Sequence, residues 1–239
     1  MRKLSGVQDD TQTQLLGRNC GCCHRADEGR LTQEEPVCVE NSPERRGEIG
    51  CSIVKNKPLP TSLREPVFWH IDRFDTGELA PSAVGPTSIA FEAHGAWWLL
   101  SVGPKSDNHH GGEHVAQVKL SPLPSASSYS ILVISAYIPS GMTSRVHFHS
   151  GVEAFYVVDG EQCLQTAEQA FKMRKGETLA VPTGVTMRLV ATGSKPQRAF
   201  AVIVLRLIQA ASNTYADAEG IGTRLVLEVG ICPAPCSPH

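Results

Sequence analysis

The residues best equipped for chemistry in this 239-residue chain lie between Gly141 and Glu153. On an extended strand alternate side chains share a face. Thr143, Arg145, His147 and His149 therefore point one way, and Ser144, Val146 and Phe148 point the other, toward a packing layer. Two imidazoles two residues apart can converge on one metal ion. Glu153 follows a short Ser150-Gly151 turn and can return a carboxylate to the same point. Two His and one carboxylate on one side of an ion form a facial triad, with positions left open for substrate, water or O₂. The competing reading has both His facing solvent, and Glu153 at this spacing weighs against it.

The elements that must hold this group are strands. Period-two patterns cover residues 96–102, 115–120, 130–138, 143–149, 154–158, 162–166, 178–181, 187–191 and 199–208. Gly103-Pro104, Pro139-Ser140-Gly141, Lys175-Gly176, Thr183-Gly184 and Thr192-Gly193 separate them. Asp159-Gly160 fits a type I′ hairpin turn. Many short strands at near-regular spacing predict an all-β sandwich or barrel.

This stretch resembles the first motif of the cupin superfamily: Gly, five residues, His-x-His, three or four residues, Glu, six residues, Gly. The match is complete at Gly141, His147, His149, Glu153 and Gly160. The second motif, Gly, five residues, Pro-x-Gly, two residues, His, is matched at Gly176, Pro182 and Gly184. It then departs, because Met187 stands where the family has a metal-binding His. The resemblance spans residues 130–208. It implies a cupin-type jelly-roll β-barrel with one divalent metal ion in its mouth, held by His147, His149 and Glu153. These donors do not distinguish Fe, Mn, Zn and Ni. It also implies a small-molecule ligand and a homodimer paired through edge strands.

Met187 leaves two readings open. The three remaining ligands hold a divalent ion with three sites free, or the metal is lost and Met187 packs in an apolar pocket, since a thioether suits Cu(I) far better. Gln162 either faces inward, where its amide oxygen can replace the missing ligand or orient a water, or faces solvent. Arg145 either clamps a substrate carboxylate or pairs with a carboxylate such as Glu161. Phe155, Val157, Met187 and Leu189 line an apolar pocket or form plain core. Cys163 alternates with Gln162 and falls on the opposite face. No clear general base stands outside the triad. The two functional expectations are therefore a metal-dependent oxygenase or isomerase acting on a small organic molecule, and a non-catalytic, ligand-binding or metal-free cupin.

Composition frames the rest. Lys+Arg 22 against Asp+Glu 24 gives a net charge of −2, which argues against a nucleic-acid or polybasic membrane partner. The longest apolar stretch, 199–208, is interrupted by Arg206 and falls short of the ~20 residues that span a membrane. Arg2 and Lys3 precede polar Gln8-Asp9-Asp10-Thr11-Gln12, not the apolar core of a leader, so the expected compartment is cytoplasmic. No aromatic residue precedes Phe68. The expected organisation is a poorly structured N-terminal extension at 1–65, a β-domain at 66–210 and a tail at 211–239. Cys20-Gly21-Cys22-Cys23-His24, Cys38, Cys51, Cys232, Cys236 and His239 are either a zinc site or incidental thiols, and their spacing favours the latter. Asn108 to His114 holds three His and a Glu, but its Gly-Gly pair fits an exposed loop better than a ligand scaffold.

Overall fold

Runs of Val, Ile, Leu and aromatic side chains become strands, as their stiffness at χ1 and packing on a pleated surface favour. The computed structural model describes residues 39–40, 50–59, 63–77, 79–105, 112–120 and 122–207. In chain order its elements are β1 (Val39–Glu40), β2 (Gly50–Pro58), β3 (Phe68–Phe74), α1 (Leu79–Ser82), β4 (Ser88–Ala93), β5 (Ala96–Gly103) and β6 (Glu113–Lys119). There follow β7 (Tyr129–Ile138), β8 (Val152–Asp159), β9 (Glu161–Thr166), β10 (Ala170–Arg174), β11 (Thr178–Val181), β12 (Met187–Thr192) and β13 (Gln197–Arg206). Among the described residues no helix is long and apolar enough to cross a membrane.

The strands form three sheets: β1-β2-β7-β13-β8-β11, β10-β9-β12 and β4-β5-β3-β6. Strand alternation sends the side chains of the six-stranded sheet to two different cores. Val152, Ala154, Tyr156, Phe200, Val202 and Val204 pack with Trp69, Phe91 and Trp98 of the four-stranded sheet. Phe155, Val157, Val181 and Ala201 pack instead with Leu164, Met173 and Met187 of the three-stranded sheet. The six-stranded sheet is thus the middle layer. The all-β, cupin-type fold is present as facing sheets, and the ladders among the described residues do not close into a continuous barrel.

Three expectations need correction. The folded part starts earlier than its first aromatic: Gly50–Pro58, inside the expected extension, is a strand paired antiparallel with β7. Backbone ladder bonds and small or β-branched side chains suffice there, and Lys57 adds donations to the Gly85 and Ser88 carbonyls, each 2.9 Å. Residues 143–149 are not a strand but make two isolated bridges, Thr143 to Val190 and His147 to Met187. Asp159-Gly160 closes no hairpin, because β8 and β9 belong to different sheets. Only Gly160 has positive φ there, at 77°, whereas a type I′ turn needs two such residues. It turns a corner between layers, and a Cβ on it would stand 2.6 Å from the Pro196 carbonyl oxygen. The I′ geometry occurs instead at His94-Gly95, with φ of 53° and 78°, between β4 and β5. The cysteine-rich clusters at 20–24, 38 and 232–239, and residues 108–111, lie outside the described residues.

Candidate metal centre

The segment from Gly141 to His149 runs antiparallel to β12. Backbone bonds tie Gly141 N to Ala191 O, Ser144 N to Leu189 O, His147 N to Met187 O and Gly184 N to His149 O. Between them the ladder is broken, and the Ser144 hydroxyl accepts from Leu189 N at 2.9 Å. The expected alternation fails for that reason. Val146 is 58% exposed instead of packed, while Met142, Ser144 and Phe148 join Thr143, Arg145, His147 and His149 around one cavity.

Gly151 sets the turn that follows. A Cβ there would lie 2.2 Å from the Val204 carbonyl oxygen, so only glycine lets the chain press this close to β13. The turn delivers Glu153 into the middle layer, between Val181 of β11 and Ile203 of β13. One ligand atom from each of His147, His149 and Glu153 lies within 4.8 Å of the others. The His147 and His149 rings meet edge to face, 5.0 Å between centroids.

Protonation follows from the partners. His147 Nδ1 lies 2.8 Å from the Arg145 carbonyl. A carbonyl only accepts, so Nδ1 carries the proton and Nε2 keeps its lone pair. A backbone carbonyl in this role is the usual outer support of a metal-binding imidazole. Glu153 is 4% exposed, and burial pushes its pKa up to about 8. Its Oε2 lies 3.4 Å from His149 Nε2 but has no hydrogen-bond partner. Burial first, then the charge of His147, lowers His149 to about 4. A buried carboxylate oxygen without a donor, facing two imidazoles, is costly as it stands. A divalent cation would satisfy all three groups, and imidazole with carboxylate suits Fe, Mn, Zn or Ni. The residues present fit the metal.

The other named residues divide. Arg145 is exposed and borders the cavity. Glu161, its suggested partner, is paired with Lys172 at 3.0 Å and Arg174 at 3.7 Å. Phe155 lines the cavity and belongs to the apolar cluster that contains Met187. Met187 is 2% exposed and bridges directly to His147, so the two side chains share a face. Gln162 is fully buried, which removes the solvent-facing reading. Its Nε2 donates to Met173 Sδ and its Oε1 accepts from Gln197 Nε2. That oxygen is already engaged. Cys51, in the cavity wall, and Cys163 are disulfide-bonded, a state that oxidising compartments favour.

The cavity measures about 280 Å³ and its walls are mainly aliphatic. Two contributions escape sequence reasoning. Cys51 and Ile53 come from β2, in a segment without aromatics. Gln197 lines the cavity at the head of β13. The signal for it is a lone amide in phase with Ala199 and Ala201, at a period of two, before an otherwise apolar run.

Residues 133–203 match the cupin domain family model. This stretch, under a third of the chain, is thus a cupin domain. No curated protein is significantly similar in sequence. Several solved structures share part of the fold. A conserved protein of unknown function from Streptococcus pyogenes is 19% identical, with 32% of this chain and 64% of that one covered, at a TM-score of 0.29. An RmlC-like cupin family protein with a double-stranded β-helix fold from Methanocaldococcus jannaschii is 19% identical, with 32% and 71% covered and a TM-score of 0.31. A predicted oxalate decarboxylase from Thermotoga maritima is 19% identical, with 33% and 81% covered and a TM-score of 0.30.

Proposed function

We propose that this chain is a metal-dependent cupin that holds one divalent ion on His147, His149 and Glu153 and acts on a small, largely aliphatic molecule in the adjoining cavity. The observation that carries this reading is the buried Oε2 of Glu153, which has no hydrogen-bond partner, lies 3.4 Å from His149 Nε2 and is grouped with two imidazoles around one point. When bound, the ion supplies Lewis acidity or a site for O₂, as an oxygenase or isomerase requires. The chain supplies the rest. His147 is held in one tautomer by the Arg145 carbonyl, Glu153 is held in the sheet, and aliphatic walls exclude water from the bound molecule. Arg145 stands at the cavity as a partner for an anionic group.

A second reading, a ligand-binding cupin without catalysis, is favoured by one observation. Beyond the triad the polar side chains lining the cavity are Thr143, Ser144, Arg145 and Gln197, and none is a general base near neutrality. Metal content is shared by both readings, and turnover separates them.

Elemental analysis of the purified chain beside a His147→Ala/His149→Ala variant tests the centre. The expected result is about one divalent ion more per wild-type chain than per variant chain. Equal metal in both, or none in the wild type, overturns the proposal.

A further inference from the structure

Cys51 and Cys163 are both disulfide-bonded, and they are the two cysteines among the described residues. Their positions keep them from bonding to each other. Cys51 lines the cavity with Ile53, Ile134 and Ala136, on the side of the six-stranded sheet that packs toward the three-stranded one. Cys163 stands between Gln162 and Leu164 on β9. Leu164 lines the same cavity, and Gln162 donates to Met173 of the inner apolar cluster. Alternation therefore turns Cys163 to the outer side of its sheet. The backbone of β9 separates the two sulfurs, whereas a disulfide holds its Cβ atoms about 4 Å apart. The partner of Cys51 thus lies outside the described residues.

The ladder at the edge of the six-stranded sheet indicates which cysteine it is. β1 runs parallel to β2, with Val39 against Ser52 and Glu40 against Ile53. One step back, the same register sets Cys38 against Cys51. Neighbouring strands lie ~4.8 Å apart, within the Cα separations that a disulfide spans. Paired residues also turn their side chains to one face.

We propose that Cys38 and Cys51 form a disulfide that ties β1 to β2 and makes the cavity wall dependent on redox state. The edge it secures is weak. β1 pairs with two residues of β2, and the ladder from β2 to β7 shifts register between Ile53 and Lys55. Gly50, Cys51 and Ile53, the residues of β2 that line the cavity, all precede that shift. A short ladder and the cross-link together hold this piece of wall. Forming the bond takes two electrons and two protons from the two thiols, and glutathione disulfide accepts them and leaves as two thiols. A reducing thiol reverses the exchange, frees Cys51 and lets the head of β2 open. The device is independent of the metal centre, since neither cysteine belongs to it.

The test is peptide mapping of the full chain by mass spectrometry. The protein is equilibrated with glutathione and glutathione disulfide, and remaining thiols are alkylated before digestion. The expected result is a peptide pair joined through Cys38 and Cys51 that separates on reduction. Cys51 joined to any other cysteine, or alkylated, overturns the proposal. Hydrogen exchange then reads the wall. In Cys38→Ser the amides of residues 50–53 should exchange about tenfold faster or more, while those of β13 keep the wild-type rate. If that variant does not fold, the same amides of the wild type are compared before and after reduction, because Cys163 lies on another sheet. Unchanged exchange at 50–53 overturns the redox dependence of the wall.

Discussion

The two faces of the six-stranded sheet are built from the same strands and used in opposite ways. Toward the four-stranded sheet, Phe200 meets Phe91 edge-on at 5.3 Å and Trp98 at 5.0 Å, and Trp98 meets Tyr156 at 6.2 Å. Large rings fill that layer. One residue away, Ala199, Ala201 and Ile203 face a cavity of about 280 Å³ that ends on two His and a buried Glu. Consecutive residues of one strand thus serve a packed interior and a chemical site. The first supplies stability, and the second can leave space and polar groups unsatisfied because its neighbour across the backbone does not.

Phe200→Ala attacks the packed face and carries the largest expected effect. Removing a ring from the centre of that layer costs ~3–5 kcal/mol, read as a fall in melting temperature of roughly 10 °C or more. Metal content per folded chain should stay at the wild-type value. A parallel loss of metal would show that the two faces are not separable.

Glu153→Gln attacks the open face and is expected to act in two directions. With metal present the variant should lose the ion and the stabilisation that binding gives the wild type. In metal-stripped protein the order reverses as pH rises. Burial raises Glu153 from 4.5 to about 8, so between those values the folded state binds more protons than the unfolded one. The stability of the stripped wild type therefore falls as pH climbs through that window. The variant has no carboxyl to ionise and should not show the fall. Chemical denaturation of both proteins at pH 5 and pH 8, after chelation, checks this, and parallel behaviour would sink it.

The packed face should fail at the other end of the pH scale, with a smaller effect. His94 stacks 5.2 Å from Phe200 and lies 3.1 Å from the Ser135 hydroxyl. Burial, with a lesser contribution from Arg198, lowers it from 6.5 to about 4, against a backbone hydrogen bond to Ala199 that raises it. Between those values the unfolded state binds more protons, so stability is lost as pH falls from 6.5 toward 4. His94→Asn keeps a residue type tolerant of positive φ and should flatten the acid limb of melting temperature against pH. An unchanged limb would remove His94 as its cause.

What the sequence made legible follows the physics of each signal. Thr178–Val181 was readable to the residue, and seven further strands to within a few positions, because alternation is local, whereas β1, β3, β4 and β10 were not anticipated. The three candidate ligands were readable because a motif spacing survives the broken ladder beneath it. Position 146 was misplaced because alternation assumes a continuous strand, and the Ser144 hydroxyl takes a backbone acceptor's part there. β2 was hidden because an added strand needs ladder bonds more than aromatic bulk. Gln197 was hidden because its meaning depends on Gln162, 35 residues away in the chain.

The middle layer has a further consequence for how the chain is made. Its order places β13 between β7 and β8, which do not pair with each other. β13 is also the last of the described strands to be synthesised. Until Arg206 has left the ribosome, β7 and β8 carry open edges and half-formed layers, with no local partner to cover them. The strand that completes the candidate site is the one whose arrival ends that exposure. A nascent chain paused before residue 197 is therefore expected to expose one edge of β7 and one of β8, and to be the species most in need of a chaperone.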